Sequence, residues 1–195
     1  MKSMKRTIAI LVAISMIFGC VIGGTIAWLT HTSGPVVNTF TDSNVEVTLT
    51  ETTGTDYQMV PGKDIDKDPT VAVSADSEDC YVFVKVTKAP DVTTFDNYLT
   101  YTIADGWDLV EGKSDVYYRV VEKADTSRSF AVLEGNQVSV KTTVTKEMMN
   151  AINDGTVDEP TLTFQAYAIQ KDYLKDGSNT TIDNAAGAWA LLDVE

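Results

Sequence analysis

The chain has 195 residues, 28 of them acidic and 15 basic, for a formal net charge of −13. Its Lys and Arg residues stand singly among carboxylates, which excludes the clustered basic surface that nucleic-acid binding requires. With two cysteines and one histidine, it also lacks the composition of a disulfide scaffold or a histidine-rich metal centre.

The first element is an uncharged run between Thr7 and Leu29, preceded by Lys2, Lys5 and Arg6 and ending in Gly23-Gly24-Thr25-Ile26-Ala27. A basic start, an apolar middle and small residues at Thr25 and Ala27 form the layout of a secretory signal, with cleavage by a signal peptidase expected after Ala27. The mature chain then begins at Trp28. At roughly 20 residues the same run is long enough to span a bilayer as an uncleaved anchor, which would be the chain's one membrane contact. Acylation at Cys20 is a further alternative, opposed by the bulky Phe18 where small residues are preferred. Cleavage removes Lys2, Lys5, Arg6 and Cys20, leaving 12 basic against 28 acidic residues, a formal −16, and Cys80 as the single thiol. No internal disulfide is then possible, so packing must hold the fold.

Residues 28–43 come next. This stretch holds the apolar Val36-Val37 step and Phe40, and its Gly34-Pro35 pair keeps it from pairing fully within a sheet of its own. Freed by cleavage, it is a candidate donor strand that adds to the sandwich of a neighbouring copy, a head-to-tail contact that builds filaments. The alternatives are a leader without regular structure and a strand within its own domain.

Residues 44–195 alternate apolar and polar side chains, the period of a strand with one face buried. Val45, Val47 and Leu49 alternate with Glu46, Thr48 and Thr50. Cys80, Val82, Val84 and Val86 are expected inside, against Tyr81, Phe83, Lys85 and Thr87. Val138, Val140 and Thr142 oppose Gln137, Ser139 and Lys141, and Leu162, Phe164, Ala166 and Ala168 oppose Thr161, Thr163, Gln165 and Tyr167. Shorter strands are predicted at 70–73, 99–103, 116–121 and 130–133. Burying each Val or Leu contributes about 1.5–3 kcal/mol, so a one-residue slip of any strand forfeits several such terms. Pro61-Gly62, Asp105-Gly106, Glu111-Gly112 and Glu134-Gly135-Asn136 supply turns with positive φ at glycine. Strands divided in this way predict an all-β, two-sheet sandwich forming one domain. Two short peripheral helices interrupt it. One is capped by Thr145, carries Lys146, Glu147, Met148, Met149 and Ile152, and ends before Gly155. The other is capped by Asp183 and sets Ala185, Trp189 and Leu192 on one face.

Three stretches carry a resemblance. Gly23-Gly24-Thr25-Ile26-Ala27 with Trp28 is followed by Asn38-Thr39-Phe40-Thr41. Val60-Pro61-Gly62-Lys63-Asp64 is followed by Lys67-Asp68-Pro69, Ser77-Glu78-Asp79 and the strand from Cys80. Ala166-Tyr167-Ala168-Ile169-Gln170 is followed by Ala188-Trp189. In order and spacing these resemble the TasA/camelysin family of exported Gram-positive proteins, whose signals are processed by a dedicated signal peptidase. The resemblance implies a jelly-roll sandwich and a secreted role as a subunit of cell-surface or biofilm-matrix fibres, with self-association or other matrix fibre proteins as partners. It also implies one enzymatic alternative, since camelysin is described as a cell-surface metalloprotease.

Catalytic chemistry finds little purchase in the residues themselves. His31 is the one histidine and there is no H-E-x-x-H, so zinc under the metalloendopeptidase alternative would rest almost wholly on carboxylates. Cys80 alternates into the core and reads as a small apolar side chain. Asp64, Asp66 and Asp68 have the spacing of the first ligands of a calcium loop, but no Gly follows Asp68 and Ala75 stands where the bidentate acid belongs, which excludes an EF-hand. A looser calcium site drawing on Asp76, Glu78 or Asp79 is the alternative to a solvated acidic turn. Asn179-Thr180-Thr181 has the form of a glycosylation acceptor and is expected in the loop before the last helix. Tyr98, Tyr101, Tyr117 and Tyr118 form either an aromatic binding strip or ordinary strand packing. The reading favoured by these features is a secreted structural protein without a cofactor, the rivals being the metalloendopeptidase and a monomeric surface adhesin that binds polysaccharide or host protein.

Overall fold

The computed structural model describes residues 45–54, 57–175 and 178–192. The cleavage residues Thr25, Ala27 and Trp28, the donor-strand residues Val36, Val37 and Phe40, and His31 lie outside the described residues.

In chain order the elements are β1 (Val47–Thr50), β2 (Asp64–Asp66), β3 (Thr70–Val73), β4 (Cys80–Ala89), α1 (Val92–Tyr98), β5 (Leu99–Thr100), β6 (Asp108–Leu109), β7 (Val116–Val121), β8 (Ser129–Ala131), β9 (Gln137–Val140), α2 (Lys146–Asn153), β10 (Thr161–Gln170), β11 (Asp172–Lys175), β12 (Ser178–Thr181) and α3 (Ala185–Ala190). Every ladder among them is antiparallel. The sheet orders are β1-β3-β8, β2-β9-β5 and β10-β4-β7-β6, with β11-β12 a separate hairpin.

The all-β prediction holds, with three sheets in place of two. The two three-stranded sheets are joined by a bridge between Ile103 and Leu133 and by bonds from the Ala104 amide to the Val132 carbonyl and from the Glu134 amide to the Thr102 carbonyl. Their apolar faces meet the four-stranded sheet in one cluster containing Val71 and Val73 of β3, Val138 and Val140 of β9, and Val82 and Val84 of β4.

Alternation places Cys80, Val82, Val84 and Val86 in that cluster as expected. The opposite face of β4 departs from expectation: Tyr81 and Phe83 are also buried, together with Tyr167 and Ile169 of β10. The cause is α3, which lays Ala185, Ala188 and Trp189 on this face; the Trp189 ring centre is 5.2 Å from that of Phe83 and 5.4 Å from that of Tyr167. The four-stranded sheet is therefore covered on both sides.

The helix from Lys146 forms as predicted, with Thr145 accepting from the Met148 amide. The cap of α3 is Asn184, whose side chain accepts from the Gly187 amide, one residue beyond the predicted Asp183. A third helix, α1, is capped by Asp91, which accepts from the Thr94 amide. Gly62, Gly106, Gly112 and Gly135 have φ of 75°, 84°, 77° and 62°, as their turns require. Asn179-Thr180-Thr181 lies in β12, paired with β11, and is not the loop expected there. No helix among the described residues is long and apolar enough to cross a membrane.

Candidate functional site

The feature with the clearest capacity for interaction is the outer edge of β10. This strand ends the four-stranded sheet, with β4 on one side and no ladder to any described strand on the other. It runs ten residues in unbroken register, from Thr161 opposite Ala89 to Gln170 opposite Cys80. The other sheet-edge strands, β1, β2, β5, β6 and β8, have two to four residues each. In an antiparallel strand every second residue turns its N–H and C=O to the same side, so half of β10 offers backbone donors and acceptors outward.

Edges of this kind are normally blunted by short length, a charged residue, a proline or a bulge. Thr161–Gln170 contains no charged residue and no proline, and its register leaves no room for a bulge. Phe164, Ala166 and Ala168 are buried on one face and Tyr167 and Ile169 on the other, which fixes the strand firmly in place. β1 packs beside β10 without joining its ladder. The sequence carried a usable signal for this edge, a ten-residue β-prone run without charge or proline, but alternation reports only faces and says nothing about which strands pair.

The acidic candidates are dispersed. Asp64 and Asp66 sit on the exposed strand β2, not in the solvated turn expected for them, and the Ser139 hydroxyl donates to Asp64. Asp68 is engaged by the 51–54 bend, accepting from the Thr52 amide at 2.8 Å, the Thr53 amide at 3.1 Å and the Thr52 hydroxyl. Those bonds, the Thr52 hydroxyl first among them, hold its carboxyl down to about 2 from 3.8. Glu78 pairs with the Lys123 ammonium, and Asp79 accepts from the Lys123 amide. Among the described residues no three His, Cys, Asp or Glu side chains gather in a metal-binding arrangement.

Cys80 is fully buried, and burial pushes its thiol up to about 12, partly opposed by the nearby Arg128 charge. The tyrosines divide. Tyr98 is buried and donates to the Met148 carbonyl, and Tyr118 packs near Tyr81 and Phe83. Tyr101 and Tyr117 come together on a separate open cleft. No protein-family model, curated protein or solved structure matches the chain.

Proposed function

We propose that this protein is a secreted structural subunit of a cell-surface or matrix fibre, assembled when residues 28–43 of one copy add as a strand to the outer edge of β10 in the next. The observation that carries this reading is the long, uncharged edge of β10, which no described strand pairs although β1 packs beside it. Strand addition satisfies such an edge with backbone hydrogen bonds, and side chains at alternate positions supply specificity. Residues 28–40 exceed the ten of β10 in number, so the donor is long enough to run along the edge, where as the new outermost strand it tolerates Pro35 at a position turned away from β10. Val36, Val37 and Phe40 are the apolar side chains it would bring.

In this reading a signal peptidase cuts after Ala27 and frees Trp28 as the first residue of the donor. Donor and acceptor are different segments of the chain, so the proposed contact is head-to-tail and can repeat from copy to copy. The resemblance to the TasA/camelysin family and its implied jelly-roll sandwich accord with the antiparallel, layered architecture. Mature protein beginning at Trp28 is compared by negative-stain microscopy with protein lacking residues 28–43. Filaments are expected from the first alone, and undiminished filaments from the truncated chain overturn the proposal.

A further inference from the structure

A cleft separate from the β10 edge lies where Tyr101, Ile103 and Tyr117 pack against the larger apolar cluster. It is an open cleft of about 410 Å³, within the size range of small-ligand sites. Its walls come from the end of β4, from α1, from β5 and the chain following it, and from β7: Lys88, Asp96, Thr100 to Ile103, and Tyr117.

The charge of the cleft is internally balanced. The Lys88 ammonium lies 2.7 Å from Asp96 Oδ1, and 5.4 and 5.2 Å from the ring centres of Phe95 and Tyr101. One carboxylate and two aromatic faces already engage that cation, so little positive potential is left for an anionic ligand. The hydroxyls of Thr100, Tyr101, Thr102 and Tyr117 have no hydrogen-bond partner among the described residues, although all four residues line the cleft. Each hydroxyl both donates and accepts. Tyr101 and Tyr117 are half-buried, which holds their rings in place while part of each remains open, and Ile103 adds an apolar surface.

Unpaired hydroxyls, partly open aromatic rings and a neutralised ion pair match a ligand that is uncharged, rich in hydroxyls and apolar on its ring faces. We infer that this cleft binds a neutral saccharide, with a sugar ring against Tyr117 and its hydroxyls bonded to Thr100, Thr102, Tyr101 and the free oxygen of Asp96.

The test is saturation-transfer NMR on the purified protein with maltotriose, cellotriose and chitotriose as probes and trigalacturonate as the charged comparison. Saturable transfer to at least one neutral trisaccharide is expected, exceeding that to trigalacturonate. Tyr117→Ala is expected to weaken binding about tenfold and Thr102→Val, which keeps the side-chain shape, about fivefold, the effect of losing one good contact each. Thr102 is exposed, so its variant tests the site even where Tyr117→Ala disturbs the fold. Absence of transfer from all three neutral probes, stronger binding of trigalacturonate, or unchanged affinity in Thr102→Val overturns the inference.

Discussion

Arg119 illustrates how much a single turn can depend on its neighbours. Its guanidinium lies 3.9 Å from the Phe130 ring centre and 4.9 Å from that of Trp107, and it donates to the Gly106 carbonyl at 3.0 Å. Trp107 is itself pinned by its indole N–H to the Ala131 carbonyl. Gly106 has φ of 84°, and a Cβ there would come 2.1 Å from Arg119 Nη2. Gly106→Ala therefore strains the backbone and pushes the guanidinium off its stack, with an expected loss of about 1–3 kcal/mol, read as a lower urea midpoint at unchanged slope. Asp68 contributes in a pH-dependent way. Its folded value lies below its unfolded one, so its contribution is complete above about 4 and fades as pH falls toward about 2. Asp68→Asn is expected to flatten that acid limb, and thermal melts at pH 5 and pH 2.5 check it: an unchanged difference between the two would refute the assignment. The buried Cys80 thiol predicts negligible reaction with a disulfide reagent at pH 8 until the chain is unfolded, measured on protein beginning at Trp28, where Cys80 is the sole thiol.

Among the elements, α3 has the largest leverage for its length. Six residues cover the centre of the second face of the four-stranded sheet, chiefly through Trp189 against Phe83 and Tyr167. Trp189→Ala is expected to cost about 3–5 kcal/mol in equilibrium unfolding, more than the roughly 1 kcal/mol expected for the cap variant Thr145→Ala in α2. This is also where the sequence was least legible. The spans of β3 and β7 coincide with the predicted 70–73 and 116–121, because strict alternation beside turn residues leaves one register. Tyr81 and Phe83 look like the outer face of β4 by the same rule, since their cover arrives from a helix a hundred residues later. α1 has little helical signal in the sequence, because Val92, Thr93 and Thr94 favour strands, and its one clear marker is the capping Asp91 after Pro90. β2 and β6, two or three residues each, are too short for any period to register. The predicted strand 99–103 shortened to two residues plus the Ile103 bridge, since its chain turns aside to form a wall of the cleft.

At the scale of the whole molecule, net charge would oppose the proposed assembly while the β10 edge would favour it. Copies carrying 15 basic and 28 acidic residues repel one another at distances beyond a few ångströms, more so once the proposed cleavage has removed three of the basic ones, and salt screens that repulsion. Under the proposed strand addition, fibre growth followed by light scattering should accelerate between 20 and 200 mM NaCl; growth that slows would mean that attraction between charges drives the contact. The two proposed sites sort differently here. The acceptor edge follows from sheet order, which only the fold supplies, whereas the cleft joins Tyr101 and Tyr117, which the sequence grouped with Tyr98 and Tyr118 without revealing which pair would meet.

The unbroken register between β4 and β10 has a mechanical consequence. A pull directed along these two strands loads their ten facing residues side by side, so the hydrogen bonds between them must yield nearly together. A zipper opened from one end gives way bond by bond. A domain built around such a pair is suited to carrying tension along its length.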